Sequence, residues 1–430
     1  MGTACSTPVE LSKGAVRVAP EHTPLDPCWA ACDTKRIRSS ADRTPVLLVA
    51  LAGLRFALFP IPIVTLFWMG QLGMSFADVM WLQAIFGGTV ALLEFPSGYL
   101  ADRVGHRVAL LAGAACATAG WIVYARANGF AGVVLAEVVL ATGYACISGA
   151  DTALLYRTLD AAGRASEYLR WESRSRAAMQ VAEAGSSAVG GALYAWAPRL
   201  PFWLQVPVSL GALACAAGTR EAPREPAAGS TSHAAAAWHL LRHAVSRHPR
   251  LRTALALHVV LSLSTFLMVW LVQPYMQSRG VPVAWFGPIW AMMHLGLAAV
   301  SLASSRIVGT FGASPTLLAC CLLAPLGYWL MAATQAPWGV AFYFLLMVVR
   351  GLQGPILATA LQRDAPDEDR AGGMSLASLC MRLGVVVFGP PVGRLVDRSG
   401  LDTALPLIGG AFGLAALATL AAFVRAHGRR

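Results

Sequence analysis

Charge is scarce in these 430 residues: Asp, Glu, Lys and Arg together make up 13% of the chain, against 57% hydrophobic residues and a mean hydropathy of +0.59. That balance excludes an ordinary soluble enzyme. Lysine is nearly absent, with Lys13 and Lys35 alone, and the Ala- and Arg-rich remainder reads as a GC-rich genome's bias that carries no function. Acids are missing altogether between Glu225 and Asp364. No Gly-Lys-Ser/Thr phosphate loop is present, so nothing visible would drive work with ATP. Neither is there a His-Glu-x-x-His or Gly-x-Ser-x-Gly constellation for an intramembrane hydrolase. No catalytic residue, enzyme activity or cofactor is expected. A disulfide framework is also lacking, because Cys116, Cys146, Cys215, Cys320, Cys321 and Cys380 fall inside apolar runs as small hydrophobes. Cys28 and Cys32, with His22 nearby, form only half of a metal motif, and no metal is expected.

What is abundant is apolar length. A membrane-spanning helix needs about 20 mostly apolar residues, and the chain offers twelve such runs, near 45–67, 76–98, 107–126, 130–155, 174–196, 200–217, 252–277, 284–307, 314–333, 338–361, 372–394 and 403–425. The expected fold is an all-α polytopic membrane protein, with two pseudo-symmetric six-helix bundles over 45–217 and 252–426. Residues 1–44, polar and rich in Pro and charge, lack the apolar core of a signal peptide and read as a disordered cytoplasmic tail. The Ala/Pro/Arg-rich stretch 218–251 reads as the linker between bundles. Within it, Trp238 to Arg252 suits a basic amphipathic helix lying in the inner membrane interface better than a nucleic-acid contact.

The net charge of +11 comes from basic residues scattered between apolar runs, which argues against a nucleic-acid partner. Most of the 33 Lys and Arg fall in the tails and in the connections after helices 2, 4, 6, 8 and 10. The opposite connections hold Arg126, Arg199, Arg279, Arg394 and Arg398. This asymmetry puts both termini in the cytoplasm and the chain, multi-pass, in the cell's inner membrane.

Helix 2 runs into Gly98-Tyr-Leu100-Ala-Asp102-Arg103-Val-Gly105-His106-Arg107, where glycines permit a tight approach and an acid stands beside two arginines. This resembles the signature loop of the major facilitator superfamily, Gly-x-Leu-Ala-Asp-Arg-x-Gly-Arg-Lys/Arg, with His106 at one basic position. The resemblance covers 45 to 425. It implies a transporter working by alternating access, with Asp102 as part of a structural gate near the start of helix 11, around Ala371 to Ser375. A related octet, Gly393-Arg-Leu-Val-Asp397-Arg398-Ser-Gly400, sits at the outer end of helix 11 and fits the inverted repeats of that fold. The turn after helix 8, Ser304 through Gly312, has no acid. In helix 10, Leu346-x-x-x-Arg350-x-x-Gln353-Gly354-x-x-x-Ala358 resembles the family's arginine motif, which proton-coupled exporters usually carry in helix 4. Here helix 4 has Val139 at that place. Helix 5 keeps the paired glycines of the antiporter pattern, Gly190 and Gly191, with Ser186 and Ser187 where Gly-Pro would stand. Gly389-Pro390-Pro391-Val-Gly393 of helix 11 is a partial counterpart.

Charges at membrane depth are costly unless paired or wetted, and so mark function. They are Arg55, Glu137, Glu183, Arg350 and Arg382, with Glu94 and Asp151 nearer the inner surface. A buried carboxylate can exchange a proton near neutral pH, making Glu183 and Glu137 the proton-coupling candidates; the alternative for either is a permanent ion pair with Arg55. His258 and His294 also titrate in that range, though lone histidines in apolar helices are more often packing residues. In the family, helices 1, 4, 7 and 10 line the central cavity. That would place Arg55, Glu137, His258 and Arg350 around it, together with Gln353 and Arg382 as further cavity candidates, and Glu183 near His294. Aromatic residues such as Phe266 and Trp270 supply either an adaptable apolar site or plain packing, and Gln83, Gln180 and Gln273 bond either a solute or another helix.

The expected function is secondary transport of a small organic solute, with proton-coupled efflux of amphiphilic compounds as the leading reading. Three midplane arginines against two glutamates suit an organic anion as well, so uptake of one is the runner-up. A non-transporting membrane receptor or assembly factor is the reading from a different class. The expected partners are the solute, the lipid bilayer and protons.

Overall fold

The computed structural model describes residues 43–221, 248–364 and 370–428. The tail with Cys28 and Cys32 and most of the linker, including residues 238–247 of the basic amphipathic stretch, lie outside the described residues; the last residues of that stretch open the helix Pro249–Ser278. Among the described residues all regular structure is helical. In chain order the α-helices are α1 (43–56), α2 (Val64–Leu72), α3 (Phe76–Val104), α4 (His106–Arg126), α5 (Phe130–Ile147), α6 (Ala150–Ala161), α7 (Tyr168–Trp196) and α8 (Leu200–Gly218). After the linker come α9 (Pro249–Ser278), α10 (Phe286–Phe311), α11 (Ala313–Ala333), α12 (Tyr343–Asp364) and α13 (Arg370–Gly428).

Nine helical stretches among the described residues are long and apolar enough to cross a membrane. One of them, Ser375–His427, is 53 residues long and folds back at Gly400, where φ is 72°. Only glycine adopts that conformation without strain. The polar α7 and the broken pair α1–α2 fall short of the criterion singly, so the whole is consistent with twelve passes.

Three boundaries differ from the sequence expectation. The first helix, expected to be continuous over 45–67, breaks at 57–63, because Pro60 and Pro62 lack amide protons and push their predecessors out of helical geometry. The fourth, expected over 130–155, is interrupted at Gly149 (φ 81°) and resumes as α6. The signature stretch Gly98 to Arg103 is not a loop: α3 continues through Pro96 to Val104, and Gly105 alone (φ 119°) makes the turn into α4.

One end of the molecule, the base, carries the described chain ends and the linker ends. There Thr44 Oγ1 accepts from Arg220 N at 3.1 Å, Arg250 Nε donates to Ala426 O at 3.1 Å, and His427 meets Asp364 at 2.7 Å. At the opposite end, the crown, the halves touch closely. Gly393 of α13 lies against the backbone of Ala77 in α3. Gly191 of α7 faces the Val283 carbonyl, and Gly287 of α10 faces that of Ser187, with no room for a Cβ. Close backbone approach through small residues is how helices associate where lipid supplies no hydrophobic contrast.

The buried apolar clusters follow this division. One spans both halves at the crown and in the middle, joining Ile63, Trp68 and Met80 to Leu267, Trp270 and Val396. Toward the base there are two, one confined to the first half (Leu48, Leu110, Leu154) and one to the second (Leu257, Leu317, Leu420).

Candidate functional site

The break in the first helix sits where the halves meet and exposes backbone groups that hydrocarbon cannot satisfy. Two glutamines do so. Gln205 of α8 accepts from Phe59 N at 3.3 Å. Gln273 of α9, fully buried, accepts from Thr65 N at 2.8 Å and Leu66 N at 3.4 Å and donates to Ile61 O at 2.9 Å. Gln273 thereby caps α2 from the other half of the molecule.

Below this clasp lies a cavity of about 540 Å³, bounded by α1, α2, α3, α4, α5, α8, α9 and α13. Its upper wall is aromatic. Trp68 stacks on Trp270 across the two halves at 5.8 Å, Phe266 meets Trp270 edge-on at 6.1 Å, and Tyr124 lies parallel to Phe202 at 5.2 Å. In the same wall the Tyr124 hydroxyl donates to Glu137 Oε1 at 3.0 Å. Both groups line the cavity, and Glu137 is only 7% exposed.

The lower wall is cationic. Arg55 of α1 pairs with Asp151 Oδ2 at 3.3 Å, the acid standing in the first turn of α6 where the helix dipole also favours it. Arg55 and Arg382 of α13 both lie over the ring of Tyr144, at 5.9 and 5.7 Å from its centroid. One aromatic ring thus collects two guanidinium groups from opposite halves, each gaining a cation–π contact of about 0.5–2 kcal/mol. Among the described residues no carboxylate pairs with Arg382, and its Nε is buried without a hydrogen-bond partner.

The residues singled out in the sequence thus gather at two places. Arg55, Glu137 and Arg382 line the cavity; His258, Arg350, Gln353 and Glu183 do not. Glu183 of α7 stands 3.9 Å from His294 Nε2 of α10, and the charge of Arg350 reaches both. His294 stacks on Trp290 at 4.8 Å, and its Nδ1 lies 3.0 Å from the Trp290 carbonyl. A carbonyl only accepts, so Nδ1 carries the proton, and Nε2 is attracted to Glu183 only when the pair holds one proton more. Gln353 donates to Ser262 Oγ at 3.1 Å beside His258, between α12 and α9. Neither Glu137 nor Glu183 is the partner of Arg55; that partner is Asp151.

The signature residues form a separate cluster at the base. Asp102 lies 3.9 Å from His106 one turn on, and Arg103 packs over Tyr99 at 4.7 Å. The amides of His106 and Arg107 both donate to Glu221 at 3.0 Å, and Arg107 also donates to the Ala217 carbonyl at 3.0 Å. Gly105 abuts the Glu221 carboxylate, while Gly98 and Leu100 lie on the open side of α3. At the crown the related octet is engaged across the halves: Asp397 accepts from Phe76 N and Ala77 N, both at 2.8 Å, at the N-terminus of α3.

Sequence reasoning missed Tyr144, Tyr124, Gln205 and Glu221. No local pattern flags an aromatic ring that serves two remote arginines, or an acid that caps a helix more than a hundred residues away. The two prolines of the first helix were the available signal for the glutamine clasp.

Two halves of membrane-length helices around a shared polar and aromatic cavity make a membrane-embedded solute transporter. The chain belongs to the Major Facilitator Superfamily, whose model matches residues 46–388. Solved transporters share the fold at low identity. A mutant of the nucleoside transporter NupG superimposes with a TM-score of 0.77 at 13% identity, covering 88% of this chain and 100% of that one. The peptide transporter POT in complex with sulfate gives 0.73 at 16%, over 92% and 98%. A bacterial homolog of the human lysosomal transporter Spinster, inward-facing and occupied, gives 0.68 at 15%, over 91% and 97%. No curated protein matches the chain in sequence.

Proposed function

We propose that this protein is a proton-coupled secondary transporter that moves a small amphiphilic organic solute across the cell's inner membrane by alternating access. The present arrangement is then its cytoplasm-open state, given the cytoplasmic base that the arginine distribution indicates. The observation that carries this reading is the pairing of a cavity with a divided core: the halves share one apolar cluster at the crown and keep separate ones at the base, with the cavity between. Rocking about the middle would join the basal clusters and part the crown.

The acid–aromatic wall of Glu137 and Tyr124 supports proton coupling, because a carboxylate in the cavity wall can load a proton from one side and release it to the other. Glu183 with His294 is the second proton site. Efflux of amphiphilic compounds uses the same wall. Uptake of an organic anion is the second reading, favoured by Arg55 and Arg382 in the lower wall.

Inside-out membrane vesicles, energised and carrying a pH-sensitive dye, test the coupling against a panel of aromatic compounds of either charge. At least one compound should move protons with the wild type, and Glu137→Gln should abolish the response. Proton movement that survives in the double variant Glu137→Gln, Glu183→Gln would refute coupling through these acids.

A further inference from the structure

We propose that the solute is an organic anion: an acidic head group seated on Arg382 and Arg55 beside Tyr144, with an aromatic body against the Trp68–Trp270 stack, and that it travels with a proton rather than in exchange for one. This rests on the transporter reading above and adds the solute's charge and the sign of its coupling.

The asymmetry between the two arginines carries the first step. Both lie over Tyr144, but Arg55 has Asp151 as counter-ion, whereas no carboxylate among the described residues pairs with Arg382 and its Nε has no hydrogen-bond partner. A guanidinium at membrane depth without a counter-ion is costly to keep, and its planar fork matches a carboxylate, sulfonate or phosphate. Ser378 lines the cavity one turn before Arg382 and offers a further hydroxyl to such a head group. The rings of Trp68, Trp270 and Phe266 complete the site from the other end, so an apolar aromatic body fits and a small inorganic ion leaves that wall unused.

The second step is a charge count. Among the described residues, the charged groups of the cavity are Arg55 from α1, Arg382 from α13 and Glu137 from α5, with Asp151 of α6 bound to Arg55 and the Tyr124 hydroxyl of α4 on Glu137. The lining residues of α2, α3, α8 and α9 carry no charge. With Glu137 ionised the set is neutral; with Glu137 protonated it carries one net positive charge. An anion therefore binds better to the protonated form, and by linkage the proton binds better when the anion is present. Proton and anion then occupy the cavity on the same stroke, which an inward proton gradient turns into uptake. A cationic solute would compete with that proton instead, which is the logic of efflux.

Three probes that share a naphthyl body and differ in head-group charge separate these cases: 2-naphthoate, 2-naphthamide and 2-naphthylmethylammonium. Binding of radiolabelled naphthoate to the full-length protein in detergent is measured with the other two, and inorganic phosphate, as competitors. Naphthoate should bind best, phosphate should not compete, and naphthoate affinity should fall as pH rises. Arg382→Gln should weaken naphthoate about thirtyfold and leave naphthamide unchanged, while Arg382→Lys, which also checks folding, should recover much of the loss. Glu137→Gln should hold naphthoate affinity at its low-pH value and remove the pH dependence. Equal or better binding of the amide or the ammonium, an unaffected Arg382→Gln, no binding of naphthoate, or affinity that rises with pH would each overturn the proposal. None of those outcomes touches the vesicle assay, so loss of the anion site and loss of proton-coupled transport are told apart.

Discussion

At the crown Ile63, Trp68 and Met80 of the first half share one apolar core with Leu267, Trp270 and Val396 of the second, whereas at the base Leu110 and Leu154 belong to one cluster and Leu257 and Leu420 to another. The polar contacts divide the same way. The crown octet puts Asp397 of one half on the N-terminus of α3 in the other. The basal signature has the same Gly-x-Leu-x-Asp-Arg-x-Gly form, yet its acid, Asp102, stands beside His106 a turn further along its own segment. Two acids at opposite ends of the α3–α13 pair are therefore in different conditions, one engaged across the halves and one turned to its own. An acid on a helix N-terminus is favoured by free amides and by the dipole. Alternating access needs such contacts to be worth little enough to exchange.

The largest expected effect comes from removing the clasp. Gln273→Leu strands two amides and a carbonyl of the broken first helix in a water-free setting, which should cost the crown-closed state about 3 kcal/mol. Spin labels at Gln71 and Thr403, on opposite halves of the crown, should then report a longer distance; an unchanged distance would mean that the apolar core alone holds the crown. Next comes the latch: Asp397→Ala should cost the same state about 1–2 kcal/mol, with a smaller shift of that distance in the same direction. Asp102→Ala serves as its counterpart and should leave the crown closed. If Asp102→Ala opened the crown as much as Asp397→Ala, the contrast between the two ends would be wrong.

The smallest effect belongs to the basal surface. Arg164 holds the Glu167 carboxyl below the usual carboxylate range through a hydrogen bond at 2.7 Å. A depressed value means that the contribution is present above the ordinary carboxylate range and is lost as pH falls through the folded value. Because the pair is open to water, Glu167→Gln should shift the thermal midpoint barely at all at neutral pH, and less still in acid. A clear midpoint shift would show that the α6–α7 connection is held by this pair and not by packing.

Much of the architecture was legible in the chain, because apolar runs of membrane length separated by basic turns admit few arrangements. The legible part of the site was its list of intramembrane charges. Their partners were not: Arg55 could be read as the mate of Glu137 or Glu183, and only the fold brings Asp151 to it. Periodicity hid the break at 57–63, since the residues on either side are mostly apolar and only Pro60 and Pro62 mark it. The polarity of α7, with Arg170, Arg174, Arg176 and Glu172 in its basal part, likewise shortened its expected span to 174–196, while the helix itself begins at Tyr168.

By itself the sequence determined that the chain is a helical membrane protein of two repeated halves, since hydrophobic length and the cost of charge in lipid leave little freedom. It also determined which charges had to be explained. The tertiary structure alone decided that Arg382 crosses from the second half to share Tyr144 with Arg55, that Glu137 faces Tyr124 in the same cavity, and that the acid of the crown is engaged across the halves while that of the base turns to the first residue of the next helix in its own half. The Arg382 and Asp397 contacts depend on how two rigid bundles meet, and the Glu137–Tyr124 contact on how two neighbouring helices of one bundle pack, neither of which a local pattern encodes.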